Sequence, residues 1–78
     1  MSNISFNEFA KRFAEELEIE GSEFISLPLS EISQYDSMGK INIGLLIEEL
    51  FNYEIDYEVL ENEESIKTLY DHCLSQSK

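Results

Sequence analysis

Apolar positions recur at helical spacing near both ends of the chain and through its middle, separated by one long irregular stretch. In "SFNEFAKRFAEELEIEG", Phe6, Phe9, Ala10, Phe13, Ala14 and Leu17 share one face of a helix. Ser5 followed three residues later by Glu8 reads as a capping box, and Gly21 offers a left-handed stop. From Gly21 to Asp36, "GSEFISLPLSEISQYD" holds no sustained period and contains Pro28, so it predicts a long loop. Its Phe24, Ile25, Leu27, Leu29 and Ile32 are expected to lie over the core. A second helix is predicted from about Ser37 to Phe51 or Asn52, then a short one in "YEVLE" capped by Asp56. A last one in "SIKTLYDHCLSQ" would bury Ile66, Leu69, Tyr70, Cys73 and Leu74.

The second helix carries apolar residues on two sides. At roughly 100° per residue, Ile43, Leu46, Ile47 and Leu50 form one stripe, while Met38, Ile41 and Leu45 fall nearly opposite. A helix in so small a bundle does not readily bury both. Either the long loop folds over Met38 and Ile41, or the second stripe is a docking surface bordered by Asn42, Glu48 and Glu49.

Composition narrows the class of protein. A chain of 78 residues supplies one core, without room for two lobes around an enzyme cleft. Seventeen acidic against five basic residues give a formal charge of −12, which opposes nucleic acid and anionic lipid and calls for partners with basic patches. The 42% hydrophobic content is enough for a folded domain despite that charge. No stretch reads as a membrane span or signal peptide, and a single cysteine forms no internal disulfide, so a cytoplasmic monomer is expected.

The chemistry concentrates at "QYDSM". Asp36 and Ser37 are both good N-cap residues, because their oxygens accept the open amides of a first helical turn. A serine at a helix start is also exposed, and a phosphate ester on it would face the positive end of the helix dipole. From Ser37 onward the chain resembles the acyl or peptidyl carrier proteins. The family pattern of Asp-Ser, an apolar residue, helically spaced apolar residues, late acidic residues, a Phe and a further apolar residue is met by Asp36, Ser37, Met38, Ile41, Ile43, Ile47, Glu48, Glu49, Phe51 and Ile55. The order of predicted helices extends the resemblance over nearly the whole chain.

That resemblance implies an all-α fold: a small four-helix bundle of three main helices and one short helix, with a long loop between the first and second. It implies that Ser37 receives 4'-phosphopantetheine from coenzyme A through a phosphopantetheinyl transferase, with Asp36 recognised beside it. It further implies a non-catalytic role, in which an adenylating ligase or acyltransferase loads the arm and a downstream synthase or transferase unloads it. Docking falls to Met38, Ile41, Leu45, Glu48 and Glu49. The chain departs from primary fatty-acid carriers in having Gln34-Tyr35 before Asp36, then Gly39, Lys40 and Asn42 after Ser37. An aromatic before Asp-Ser is similar to stand-alone specialised carriers, and a glycine two residues after the serine to D-alanyl carriers. The expected setting is a specialised pathway such as surface-polysaccharide modification or secondary metabolism.

Other features carry less. Cys73 lies on the apolar face of the last helix as a small buried hydrophobe, and His72 is expected to point toward solvent with no partner at metal spacing. "EIDYEVLENEE" lacks the glycine and alternating ligands of a calcium loop. The rival reading is an unmodified acidic helical adaptor, in which Ser37 only caps and the apolar strip occupies a protein groove.

Overall fold

The computed structural model describes residues 4–76 and contains four α-helices among them, with no named strand. α1 is Phe6–Leu17, α2 Ser37–Phe51, α3 Tyr57–Asn62 and α4 Ile66–Gln76. The expected all-α bundle of three longer helices and one short helix is therefore the observed fold. No helix among the described residues is long and apolar enough to cross a membrane.

The ends of α1 follow from local chemistry. Ser5 Oγ accepts the Glu8 amide at 3.2 Å, the first half of the anticipated capping box. The stop is not at Gly21. Glu18 takes the left-handed conformation at φ 58°, and the Ile19 amide turns back to the Ala14 carbonyl at 2.9 Å. Ile19 packs against the core from there, and that contact offsets the strain of a non-glycine residue at positive φ. Gly21, at φ 78°, makes the next turn instead.

The connection between α1 and α2 is more ordered than its sequence promised. It contains two 3-10 turns, Glu23–Ser26 and Leu29–Glu31. Phe24, Leu29 and Ile32 are buried and Ile25 partly so, whereas Leu27 stays 38% exposed and is not a core residue. The Leu29 amide donates to the Glu64 carbonyl at 2.9 Å, tying the segment to the junction of α3 and α4. Asp56 occupies the N-cap position of α3 but makes no side-chain cap bond; its carbonyl accepts from the Val59 and Leu60 amides. A reciprocal pair starts α4: Ser65 Oγ accepts from the Thr68 amide and Thr68 Oγ1 from the Ser65 amide.

The centre is packed from every layer. Phe9, Phe13, Ile43, Ile47, Ile66, Leu69 and Cys73 have no exposed surface. Each of these Phe, Ile and Leu side chains contributes about 1.5–3 kcal/mol by leaving water. Phe9 meets Phe51 edge-on at 5.8 Å, and Phe13 stacks on Phe24 at 6.0 Å, so the aromatic residues of α1 join α2 and the connecting segment.

Candidate functional site

The start of α2 is held from behind by Tyr35. Its ring is buried against Phe13 with centroids 5.8 Å apart, and its hydroxyl donates to the Leu60 carbonyl at 2.8 Å. Burial, reinforced by the nearby Glu63 carboxylate, raises its pKa well above the ordinary tyrosine value. The Lys40 ammonium lies 5.5 Å from the ring centroid. Tyr35 thus fixes the backbone immediately before Asp36 to both α1 and α3.

Asp36 caps the helix, and Ser37 does not. Asp36 Oδ1 accepts the Gly39 amide at 2.9 Å, and the Asp36 carbonyl accepts from Lys40 at 2.8 Å. Ser37 becomes the first helical residue, with its side chain exposed and no hydrogen bond to its hydroxyl among the described residues. The Ser37 and Met38 amides likewise find no protein acceptor there. Gly39 is required by a close approach: a Cβ would collide with the Gln34 carbonyl oxygen and come within 3.2 Å of Leu17 Cδ2. The last turn before the cap can therefore lie directly on the first turn of α2.

The two apolar sides of α2 separate cleanly. Ile43, Leu46 and Ile47 are buried and Leu50 is half-buried, while Met38, Ile41 and Leu45 are 67%, 52% and 62% exposed. The connecting segment does not fold over this second stripe. Its other expected members, Glu48 and Glu49, are exposed, but their settings differ. Glu49 Oε1 lies 3.9 Å from Arg12 Nη2 of α1, whereas Glu48 has no ion pair among the described residues. The structure therefore brings Asp36, Ser37, Met38, Ile41, Leu45 and Glu48 onto one accessible surface, with Glu49 at its α1 border.

Sequence reasoning did not find the Arg12–Glu49 pair or the stacking of Lys40 on Tyr35, because both join residues from segments whose relative placement only the fold sets. A weak signal was available for Tyr35: it is the only aromatic in a polar run just before the cap. Away from this surface, Cys73 is fully buried, and burial pushes its thiol up to about 12. His72 does not point freely into solvent: it is half-buried, with Nε2 3.1 Å from the Tyr53 hydroxyl. Among the described residues, no group of three or more His, Cys, Asp or Glu side chains is placed to hold a metal ion. No protein-family model, curated protein or solved structure matches the chain.

Proposed function

We propose that the protein is a carrier: a non-catalytic domain that presents an acyl or aminoacyl group on a 4'-phosphopantetheine arm attached through Ser37. The observation that carries this reading is the division of labour between two neighbouring residues. Asp36 caps α2 with its own carboxylate, so the Ser37 hydroxyl has no structural task and stands exposed beside an apolar strip.

The surroundings of Ser37 fit a phosphodiester. The Ser37 and Met38 amides have no acceptor among the described residues and lie at the positive end of a 15-residue helix, where a negative charge is stabilised. The arm, when bound, supplies the terminal thiol that holds the cargo as a thioester. The chain's own residues position and present it. Tyr35 and Gly39 keep the attachment turn rigid against the bundle, and Met38, Ile41 and Leu45 offer a small interface that suits brief encounters. Tethering keeps the activated group at a raised effective concentration near each partner.

The partners are a phosphopantetheinyl transferase, an adenylating ligase or acyltransferase, and a downstream synthase or transferase, each with basic groups facing an acidic carrier. The aromatic Tyr35 and the Gly39-Lys40-Asn42 sequence favour a specialised pathway over bulk fatty-acid synthesis, on the resemblance drawn above. Incubating the apo protein with coenzyme A, magnesium and a broad-specificity transferase, then measuring intact mass, tests the reading. A single adduct on the wild type that is lost in Ser37→Ala is expected. An unmodified wild type would turn the strip into the groove-binding face of an adaptor, and an adduct surviving in Ser37→Ala would place the attachment elsewhere.

A further inference from the structure

Two hollows flank the start of α2, and they differ in the one respect that a phosphodiester on Ser37 would sense. On the α1 side, Glu16, Glu18 and Asp36 line a hollow with Met38 and Asn42, and no basic residue borders it among the described residues. On the other side, Lys40 lines a hollow of about 300 Å³ with Leu29, Tyr35, Glu61, Glu63 and Glu64. That size is at the lower end of the roughly 300–1,000 Å³ of small-molecule sites, so it suits a narrow chain. This second hollow lies between the connecting segment and the junction of α3 and α4, which the Leu29 amide and the Glu64 carbonyl join at 2.9 Å. Leu29 and Tyr35 are buried and close its floor toward the core.

Lys40 works against its own helix. It is the fourth residue of α2, and its ammonium reaches back to 5.5 Å from the ring centroid of Tyr35, which precedes the cap. A cation at the positive end of a helix is unfavourable until an anion joins it. None of the three glutamates of the hollow forms an ion pair with Lys40 among the described residues. Ser37 is three residues earlier, about 4.5 Å along the helix axis and about 60° around it, so a phosphate on its hydroxyl would be a neighbour of Lys40 across one turn.

The donor set of this hollow fits the proposed arm. The negative charge of 4'-phosphopantetheine is confined to the phosphodiester; the rest is uncharged and carries a hydroxyl and amide N–H groups that donate hydrogen bonds. The hollow supplies a cation close to Ser37 and carboxylates that accept. We infer that the arm on Ser37 rests outside the core in this hollow, its phosphodiester held by Lys40 and its hydroxyl and amide groups donating to Glu61, Glu63 and Glu64. Resting on the carrier reading, this makes Lys40 a positioning residue and gives the arm a side, away from the carboxylates that face α1.

The test uses isotope-labelled apo protein converted to the holo form with unlabelled coenzyme A, magnesium and a broad-specificity transferase. Filtered nuclear Overhauser spectra then report which side chains touch the arm, and phosphorus resonances report the phosphodiester. Contacts from the arm to Leu29, Lys40 and Glu61, with none to Asn42, are expected. Lys40→Met should lower the ratio of docked to free arm by about five- to tenfold, with the phosphorus resonance moving, and Lys40→Arg should restore both. Contacts to Met38 and Asn42, contacts to the core residues Ile47 or Leu69, or an arm that touches no residue would overturn the inference. So would a Lys40→Met protein with wild-type contacts. The wild-type contacts and Lys40→Arg decide the matter even where Lys40→Met unfolds. Absence of any adduct on the wild-type chain would overturn the carrier reading itself, a different result from an adduct without these contacts.

Discussion

Replacing each of the two glycines of α2 by alanine should give opposite signs. Helix propensity alone favours alanine by up to about 1 kcal/mol at either position. At Gly44 the new methyl would meet Leu60 Cδ1 at 3.4 Å and Ile55 Cγ2 at 4.0 Å, ordinary contacts with mobile side-chain ends. Gly44→Ala should therefore be stabilising, raising Tm by about 4 °C. At Gly39 the methyl would overlap the Gln34 backbone carbonyl and crowd Leu17. That carbonyl cannot yield easily, since the next residue, Tyr35, is buried and hydrogen-bonded to Leu60 at 2.8 Å. Overpacking of this kind costs about 1–3 kcal/mol, which exceeds the propensity gain. Gly39→Ala should lower Tm by roughly 4–8 °C per kcal/mol of net loss. Thermal unfolding followed by far-ultraviolet circular dichroism, with urea titration as a check, reads both variants. A Gly39→Ala protein as stable as the wild type, or stabilised like Gly44→Ala, would show that the contact between Gln34 and α2 does not hold the turn before Ser37.

Asp36→Ala should cost about 1 kcal/mol by losing the cap on Gly39, and Asp36→Asn only a few tenths, because the amide oxygen can still accept; urea midpoints distinguish them. Leu45→Ser should leave stability within about 0.5 kcal/mol while slowing the proposed modification at Ser37, whereas Ile47→Ala on the buried side should cost about 2–5 kcal/mol. The thiol of Cys73 should stay inert to a chromogenic disulfide reagent until the chain unfolds. Its raised pKa also sets a direction with pH: the unfolded chain releases this proton near pH 9 and the folded one near about 12, so the stabilisation is complete below the first value and lost on rising through the second. Tyr35 adds the same trend above pH 10.0. Urea midpoints should fall across this alkaline range, and an unchanged slope in Cys73→Ala would contradict the assignment to that thiol.

Much of the architecture was readable from local pattern. The bounds of α2, the buried face of α4 and the buried state of Cys73 all depend on spacing and on a few backbone amides, which act within one or two turns of chain, whereas the choice of Asp36 over Ser37 as the cap came only with the structure. The end of α1 was misplaced because Ile19 folds back onto the core, a tertiary contact that overrides the preference for glycine at a left-handed stop. The 3-10 turns after α1 lacked a periodic signal because three or four residues are too few to show one.

For the site, the order of residues along the chain was enough to place Asp36, Ser37 and two opposed apolar stripes on one helix. It left open whether the connecting segment covers Met38 and Ile41, since periodicity assigns residues to faces but not faces to neighbours. Tertiary packing decided that: α1, α3 and α4 cover Ile43, Leu46 and Ile47 and leave Met38, Ile41 and Leu45 exposed. It also decided which charges meet. Arg12 reaches Glu49 and not Glu48 because adjacent residues on a helix point about 100° apart, and only one of them can face α1.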